Sequence, residues 1–440
     1  MASSTSPPEP STPARPSSAS PATPTPASTY RLTEDQAALR DAVRVLADEQ
    51  IGPRAAEIDR TAEFPWDVKE LLASHDVLSL PFPEAYGGLG GDLLTVCLAV
   101  EQISRVCATS GLILAVQELA SLPLMLAGTD EQKQRWFPDL AAGRTLIAFA
   151  LTEAEAGSDV ASARTRARRD GTGDGADWIL DGSKRFISQG SVADLIAVFA
   201  VTADDAPDAP PAPDAPPAPD APDAAPAPAA PTTPRHKRLT CFIVEKDMPG
   251  FSVERVEHKM GIRGSPTAEL GFRNVRVPDA NRVGAVGEGF SIAMRTLDRS
   301  RPGIAAQAVG IAQGALEVAA AYAIERKQFG RPIAEFQMIQ AMLADMDAQT
   351  EAARQLLYKA ATEIEAGAPD AARWSAMCKL VAGDTAMRVT TDAVQVLGGY
   401  GYIDEFPVER MMRDAKITQL YEGTQQIQRL VIARALTARR

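Results

Sequence analysis

The sequence predicts an α+β protein with three domains: an N-terminal helical domain, a middle β-barrel or sandwich-like domain, and a C-terminal antiparallel four-helix bundle. At both ends of the chain, apolar side chains recur every three or four residues, which is typical of amphipathic helices. Between these regions, short apolar runs alternate with turn residues, which is typical of strands. We therefore expect domains at residues 30–144, 145–280 and 285–440, and a chain of 440 residues is long enough for all three.

The N-terminal region has the periodicity of several helices. Leu39, Val43 and Leu46 form one apolar stripe at helical spacing, and similar stripes follow up to residue 143. Residues 83–92 interrupt the pattern with four glycines, but they lack the Gly-Lys-Ser/Thr ending of a phosphate-binding loop. We predict an ordinary loop there.

Short apolar runs predict the strands of the middle domain. They are residues 147–151, 178–180, 185–188, 195–201, 239–245, 251–256 and 269–272. The dipeptide Asp181-Gly182 between the second and third runs predicts a β-hairpin. The runs at 195–201 and 239–245 are expected to pair as neighbours, with the intervening residues looped out.

Two low-complexity segments are expected to lie outside the folded domains. Residues 204–234 repeat the hexad DAPPAP, and so many prolines remove backbone donors and prevent a packed core. Residues 1–29 are mainly Ser, Thr, Pro and Ala and predict a disordered tail. The segment 204–234 is either a dispensable linker or a proline-rich docking segment, and its composition favours the linker.

Long helices return in the C-terminal region. The predicted helices are residues 302–327, 336–366 and 371–397, each with an alanine-rich apolar face. Helices of this length with such faces pack into an antiparallel bundle. The order of the three domains is therefore helical, β, helical.

Composition excludes several classes of function. The net charge of −12 disfavours a nucleic-acid partner, because phosphate contacts need clustered Lys and Arg. Three separated histidines and four cysteines without a Cys-x-x-Cys pair give no spacing for a metal site or a Ser-His-Asp triad. The cysteines are expected to be core thiols. They are Cys97, Cys107, Cys241 and Cys378.

A cytoplasmic protein without a membrane span is the expectation from the apolar runs. None reaches the roughly 18 residues of a membrane helix, and residues 1–29 lack the apolar core of a secretory signal. A transit peptide would be Arg-rich and acid-poor, whereas here Arg15 stands alone and Glu9 is present. Import into a mitochondrial matrix is therefore disfavoured.

The most informative segment of the chain is residues 421–430, YEGTQQIQRL. Glu422 stands beside Gly423, where the backbone can approach a ligand closely, and an apolar stripe at helical spacing follows. This pattern suits a fixed carboxylate base at the start of a buried helix. The alternative is a simple helix N-terminus, with Glu422 favoured by the helix dipole and Thr424 or Gln425 as the cap.

This segment resembles the YEGTxxIQRL motif of the acyl-CoA dehydrogenase family, and further family-like motifs follow one another across residues 30–437. The resemblance implies the helical, β, helical fold of that family. It also implies FAD-dependent α,β-dehydrogenation of an acyl-CoA thioester to a trans-2-enoyl-CoA. No protein side chain accepts a hydride, so the chemistry requires the flavin.

The resemblance gives Glu422 the role of the base that abstracts the α-proton, while flavin N5 takes the β-hydride. Some relatives, which resemble isovaleryl-CoA dehydrogenase, carry the base at the position of Ser300, where serine cannot serve. The N–H of Glu422 would hold the thioester carbonyl together with a ribityl hydroxyl, and a donor of that kind contributes about 10²-fold to 10³-fold in rate.

Two strand segments resemble parts of the family's flavin site. Residues 149–158, FALTEAEAGS, resemble the LTEPGAGS strand and turn, although Ala154-Glu155 replaces Pro-Gly. Residues 186–188, Phe-Ile-Ser, resemble the Trp-Ile-Thr whose hydroxyl donates toward flavin N5 and whose aromatic ring shields one flavin face. Taken without the family, the first segment is an ordinary strand end and turn. The implied FAD residues here are Phe149, Leu151, Thr152, Ser158, Phe186, Ile187 and Ser188.

Other family-like motifs imply contacts with the FAD of a neighbouring subunit. RKQFG at residues 326–330 resembles the RxxFG turn that reaches the pyrophosphate, and arginine binds phosphate bidentately. QVLGGYG at 395–401 resembles QxxGGxG. The local alternative for the first motif is a solvated helix C-terminus. The implied residues are Arg326, Gln328, Phe329, Gln395, Gly398 and Gly399, with Thr424 and Gln426 completing the FAD site.

The substrate side of the site follows from residues 297–301, LDRSR, which resemble LDxxR. In relatives Asp298 and Arg301 face the CoA arm, although an intrahelical ion pair between them is the simpler alternative. Ser158 and Gly423 complete the implied substrate contacts. Residues 259–265, KMGIRGS, match a family loop that we expect to be a positioning structure.

The implied partners are an electron-transfer flavoprotein as electron acceptor and further copies of this chain, as a dimer of dimers. Two alternatives stay open within the fold: an acyl-CoA oxidase, and a dehydrogenase for acyl groups bound to a carrier protein. An alternative of another class is a non-catalytic helical scaffold that displays the proline-rich segment.

Overall fold

The computed structural model describes residues 32–437 except residues 172, 174, 203–233 and 235–237. The predicted tail, residues 1–29, lies outside the described residues, as does the predicted insertion at 204–234 apart from Pro234. The predicted order of a helical, a β and a helical region is confirmed.

Six helices form the N-terminal region, as its periodicity predicted. They are α1 (Glu34–Leu46), α2 (Ala55–Thr61), α3 (Trp66–Ser74), α4 (Leu93–Val106), α5 (Ala108–Ala127) and α6 (Asp130–Ala141). Thr33 and Thr129 begin α1 and α6 with capping boxes, in which each threonine accepts from the backbone of a glutamine three residues later. Residues 83–92 form the expected loop, with a single 3₁₀ turn at Glu84–Tyr86.

One eight-stranded sheet forms the middle region. Its strands are β1 (Ile147–Ala150), β2 (Arg166–Arg169), β3 (Trp178–Ser188), β4 (Leu195–Val201), β5 (Leu239–Glu245), β6 (Phe251–Val256), β7 (Thr267–Val277) and β8 (Arg282–Val283). The order is β6-β7-β3-β2-β4-β5-β8, and β1 pairs parallel with β4. The predicted pair of β4 and β5 is confirmed as antiparallel, from Leu195 opposite Glu245 to Val201 opposite Leu239.

Strand β4 is buried on both faces, which explains its unbroken apolar sequence. Ala197 and Phe199 point into one apolar cluster with Phe137 of α6, and their neighbours Ile196 and Val198 point into another, between β4 and strands β3 and β7. The second cluster makes the sheet sandwich-like, and the first fixes it to the N-terminal helices.

The predicted hairpin at Asp181-Gly182 is wrong, because β3 runs without interruption through both residues. Gly182 has a φ of +139°, and a Cβ there would lie 2.7 Å from the Cα of Thr165. The register with β7 shifts at this point, so the dipeptide marks a β-bulge. The neighbouring strand β2, which the apolar pattern missed, is rich in exposed arginine.

Five helices and a small hairpin make up the C-terminal region. They are α7 (Gly289–Glu325), β9 (Lys327–Gln328), β10 (Arg331–Pro332), α8 (Gln337–Glu365), α9 (Ala371–Leu397), α10 (Val408–Ala415) and α11 (Gln425–Thr437). The predicted start of α7 at residue 302 is wrong by more than three turns. Pro302 lies inside the helix, because buried apolar residues such as Ile292 continue the helix upstream.

Helix α7 connects the domains and so positions the site. It packs against α4 and α5 on one side and against α8 and α9 on the other, within a single apolar cluster. Helices α5 and α7 also have the length and hydropathy of membrane spans, but 78% and 72% of their apolar windows are buried inside the protein. They are core helices of this fold.

Candidate active site

A sharp turn before α11 places Glu422 on the wall of a cavity. Glu422 and Gly423 have φ values of +52° and +90°, and a Cβ at Gly423 would lie 2.7 Å from Nε2 of Gln428. Thr424 accepts a 3.4 Å hydrogen bond from the N–H of Ile427, as a helix cap. The segment is therefore both the helix N-terminus and the carrier of a cavity-facing carboxylate.

The cavity has a volume of about 390 Å³ and lies between α5, α7, α11 and the ends of β1 and β3. Its walls are mainly apolar, and Leu112, Val116, Leu297, Ile304 and Ile427 are among them. An apolar cavity with a few polar groups is the usual form of a small-molecule site.

The Glu422 carboxylate is half-buried and has one direct hydrogen-bond partner among the described residues, since Ser300 Oγ donates to its Oε2 at 2.6 Å. Burial raises the pKa of Glu422 to about 7, although the Ser300 hydroxyl and the charges of Arg301 and Lys379 favour the ionised form. A carboxylate with a pKa near neutrality is suited to general base catalysis.

The carbonyl oxygens of this turn are held by donors from three helices. Arg301 Nε donates to the Glu422 carbonyl at 3.2 Å, and Gln428 Nε2 donates to the carbonyls of Glu422 and Gly423 at 3.1 and 2.8 Å. Lys379 Nζ donates to the Gly423 carbonyl at 2.7 Å. Within the described part of the chain, no hydrogen bond engages the N–H of Glu422.

Asp298 and Arg301 form the intrahelical ion pair that was the simpler alternative, with 2.8 Å between Asp298 Oδ1 and Arg301 Nη1. Arg301 nevertheless also lines the cavity and reaches the turn that carries Glu422. Asp298 is half-buried beside it, and burial raises the pKa of that carboxyl. The pair thus fixes Arg301 for its contact with Glu422.

The strand-end residues predicted to face a flavin all line this cavity. They are Phe149, Leu151, Thr152, Ser158, Phe186, Ile187 and Ser188. The backbone here is held by a fully buried lysine, since Lys184 Nζ donates to Glu153 Oε1 at 2.7 Å and to the Leu151 carbonyl at 3.1 Å. Arg185 N–H also donates to the Thr152 carbonyl at 2.8 Å.

Phe186 projects into the cavity from a rare backbone conformation. Its φ is +59° and its side chain is 57% exposed, although large aromatic side chains are normally covered. Its open ring and the hydroxyls of Thr152, Ser158 and Ser188 offer an apolar surface with polar groups along it. This arrangement fits a planar, hydrogen-bonding ring such as the isoalloxazine of a flavin.

The remaining predicted FAD residues are not among those that line this cavity, although Thr424 and Gln426 lie between the cavity-lining Gly423 and Ile427. Arg326, Gln328, Phe329, Gly398 and Gly399 line a separate groove of about 640 Å³ beyond the far end of α7, where Phe329 is 93% exposed. Gln395 and Gln426 are exposed, and Gln395 lies one residue before the groove-lining Val396. One copy of the chain therefore does not bring the two sets of residues together.

Sequence reasoning missed the side chains that hold the backbone of the cavity wall through hydrogen bonds, such as Lys184, Lys379 and Gln428. One signal was present in α9, where Lys379 interrupts an apolar stripe that includes Ala376, Ala382 and Ala386. All four cysteines are buried and free, as predicted.

Comparison with known proteins covers nearly the whole described chain. The family models for the acyl-CoA dehydrogenase N-terminal, middle and C-terminal domains match residues 33–144, residues 148–211 with 224–275, and residues 287–437. The middle-domain match is interrupted within the proline-rich segment.

Individual relatives support the same family. The probable acyl-CoA dehydrogenase FadE25 of Mycobacterium tuberculosis is 46% identical over 407 residues, which are 92% of this chain and 96% of the relative. Butyryl-CoA dehydrogenase from Megasphaera elsdenii is 39% identical, with a TM-score of 0.82 over 92% of this chain and 99% of that one.

A second similar structure includes the reduced cofactor. Glutaryl-CoA dehydrogenase from Mycobacterium smegmatis in complex with FADH2 is 28% identical, with a TM-score of 0.80 over 93% of this chain and 96% of that one. The chain therefore belongs to the acyl-CoA dehydrogenase family and is an FAD-dependent oxidoreductase.

Proposed function

We propose that this protein dehydrogenates an acyl-CoA thioester to a trans-2-enoyl-CoA, with Glu422 as the base that abstracts the α-proton. The observation that carries the proposal is the position of the Glu422 carboxylate on the wall of an apolar cavity. The opposite side of the cavity is formed by the strand ends that carry Thr152, Phe186 and Ser188.

Glu422 has the protonation properties of the required base. With a pKa of about 7, close to half of its carboxyl groups are ionised at neutral pH, and the conjugate acid releases the proton again readily. Ser300 fixes one carboxylate oxygen through its 2.6 Å hydrogen bond. The other oxygen receives no hydrogen bond from the described residues and is left to accept the substrate proton.

The base turn also supplies a donor for the thioester oxygen. Arg301, Lys379 and Gln428 engage the carbonyls of Glu422 and Gly423 from the protein side. The N–H of Glu422, which no described residue engages, then donates to the oxygen that gains negative charge as the α-proton leaves. A preorganised donor at this point is worth about 10²-fold to 10³-fold in rate.

FAD, when bound, supplies the acceptor for the β-hydride. Thr152 and Ser188 would hold the polar edge of the flavin ring, Phe186 would cover one of its faces, and Ser158 would reach the phosphates. Thr424 and Gln426 would complete the site at the start of α11. Arg326 and the backbone at Gly398 and Gly399 would contact the FAD of a neighbouring copy, since they line a separate exposed groove.

The oligomeric state follows from this division of the cofactor site, and the acyl group, the electron acceptor and the compartment complete the proposal. A site completed by a neighbouring copy requires a homo-oligomer, and we propose a dimer of dimers. The acyl group is proposed to be short or medium and unbranched, and the apolar walls around Glu422 fit a hydrocarbon chain. The proposed electron acceptor is an electron-transfer flavoprotein, and the proposed compartment is the cytoplasm.

The test is the visible spectrum of the purified protein before and after anaerobic addition of acyl-CoA thioesters of increasing chain length. We expect a bound flavin that bleaches with the short or medium thioesters and regains its colour with electron-transfer flavoprotein. Rapid recovery of the colour in air would indicate an oxidase instead. If only a carrier-bound acyl group bleaches the flavin, the substrate is that group rather than an acyl-CoA. A protein that binds no FAD would overturn the enzyme proposal.

A further inference from the structure

Lys379 is a buried cation directly behind the base turn. Its side chain, on α9, is fully buried, and Nζ donates to the Gly423 carbonyl at 2.7 Å and to Gln425 Oε1 at 3.2 Å. Among the described residues, no carboxylate lies within the 4.0 Å of an ion pair with it. Its ligands are therefore neutral oxygens.

A buried ammonium group in this position destabilises the folded protein unless a negative charge lies near it. Removal from water disfavours the charged form of a lysine, and neutral acceptors compensate for only part of that effect. Burial lowers the pKa of Lys379 to about 8, and the charge of Glu422 opposes this decrease more than that of Asp384 does. At neutral pH the residue therefore stays mainly cationic, next to the base.

We propose that Lys379 is a positioning residue for proton abstraction: it holds the base turn through the Gly423 carbonyl, and its charge keeps Glu422 ionised. This inference rests on the proposed role of Glu422. In this account the buried ammonium is, beside Arg301, a counter-charge of the catalytic carboxylate, placed behind it so that the carboxylate oxygens stay open to substrate.

Other charged and titratable groups also lie near Glu422. Arg301 on α7 favours the ionised carboxylate more than Lys379 does, but it is paired with Asp298 at 2.8 Å, whereas Lys379 has no such partner among the described residues. Glu118 on α5 is buried, and burial raises the pKa of its carboxyl to about 8, so that it is mainly neutral at pH 7. Tyr421, next to the base, is also neutral because burial raises its pKa.

Asp384, the second acid that influences Lys379, is engaged elsewhere. Its Oδ2 lies 3.1 Å from Nη2 of Arg429, and its Oδ1 accepts from Gln419 and Gln425 at 2.7 and 2.9 Å. These contacts hold Asp384 toward α11 rather than toward the ammonium. Glu422 is therefore the acid whose ionisation depends most on Lys379.

The test compares Lys379→Gln, which keeps an N–H donor but removes the charge, with Lys379→Arg, which keeps both. The readout is exchange of the α-hydrogens of butyryl-CoA in anaerobic D₂O, followed by mass spectrometry from pH 6 to 9 on the FAD-loaded proteins. We expect the exchange rate to rise with pH, with the midpoint of Lys379→Gln about one pH unit above that of the wild type. Lys379→Arg should keep the wild-type midpoint.

The outcomes separate this inference from the proposed function. Equal midpoints in all three proteins would overturn the role of Lys379 while leaving Glu422 as the base. No exchange in the wild type would overturn both. If Lys379→Gln does not fold, the comparison of Lys379→Arg with the wild type still decides. The exchange rate of the wild type should change again near pH 8, where Lys379 loses its charge, and the arginine variant should lack that change.

Discussion

Two fully buried lysines hold different parts of the cavity wall and are used differently. Lys184, on β3, donates to Glu153 at 2.7 Å and to the Leu151 carbonyl. Lys379, on α9, donates to two neutral oxygens and to no carboxylate among the described residues, and its charge favours the ionised form of Glu422. The first charge is balanced in place, whereas the second is proposed to act on Glu422.

The pKa of the Glu153 carboxyl shows that this group balances the charge of Lys184. Although burial opposes ionisation of Glu153, the charge and hydrogen bond of Lys184 and the N–H groups of Arg164 and Thr165 outweigh it and lower the pKa of that carboxyl. Such a pair fixes structure, here the strand ends that line the cavity. The charge of a buried lysine without a paired carboxylate instead influences the ionisation of neighbouring groups.

The largest effect on stability should come from removing the charge of Lys184, which is paired with Glu153. Lys184→Met leaves the Glu153 carboxylate buried without its cation, and removal of one partner of a buried pair costs about 3–5 kcal/mol. Urea unfolding measures this as a loss of free energy of unfolding. The matched control is the double variant Lys184→Met with Glu153→Gln, which should regain part of the loss because no charge stays buried.

In Glu118, burial outweighs the nearby charge of Arg299 and gives the opposite sign. Glu118 is 3% exposed, and burial raises the pKa of its carboxyl from 4.5 to about 8. The folded state then binds more protons than the unfolded state between these values, so stability should fall with rising pH by up to about 1.4 kcal/mol per unit. Glu118→Gln should flatten this slope.

The measurement for Glu118 is urea unfolding at pH 5 and pH 8. The exposed Glu49 provides the control, since Glu49→Gln removes a carboxyl that is not buried. An unchanged slope in Glu118→Gln would show that the buried carboxyl does not carry the pH dependence.

The smallest effect in this series should come from the single hydrogen bond to the base. Ser300→Ala removes the 2.6 Å contact to Glu422, and because this contact favours the carboxylate, its loss raises the pKa of Glu422. We expect the pH midpoint of flavin reduction to rise and the rate at pH 6 to fall by up to about tenfold. Ser300→Thr keeps a hydroxyl donor and should stay close to the wild type.

Local patterns predicted much of the fold. The unbroken apolar runs of β4 and β5 predicted their pairing, and the alanine-rich stripe of α9 gave its bounds, Ala371–Leu397. The errors came from tertiary effects: close packing against Thr165 turned Asp181-Gly182 into a bulge, and burial of residues upstream of Pro302 extended α7.

The site was partly predictable for the same reason. Glu422 stands in a distinctive local sequence, and the strand-end residues follow one another along the chain. Lys379 reaches this turn only through the packing of α9, so the interruption of its apolar stripe marks the residue without showing what it contacts, and Gln428 folds back on the turn from α11. Their roles required the structure.

Anaerobic flavin bleaching by butyryl-CoA, compared between the wild type and Glu422→Gln, decides whether Glu422 is the base. The rate in the wild type should rise with pH through about 7, where Glu422 ionises. The variant should keep its flavin and bind the thioester, yet react at least about 10²-fold to 10⁴-fold more slowly, the range of a general base. Bleaching by the variant at the wild-type rate would contradict the account.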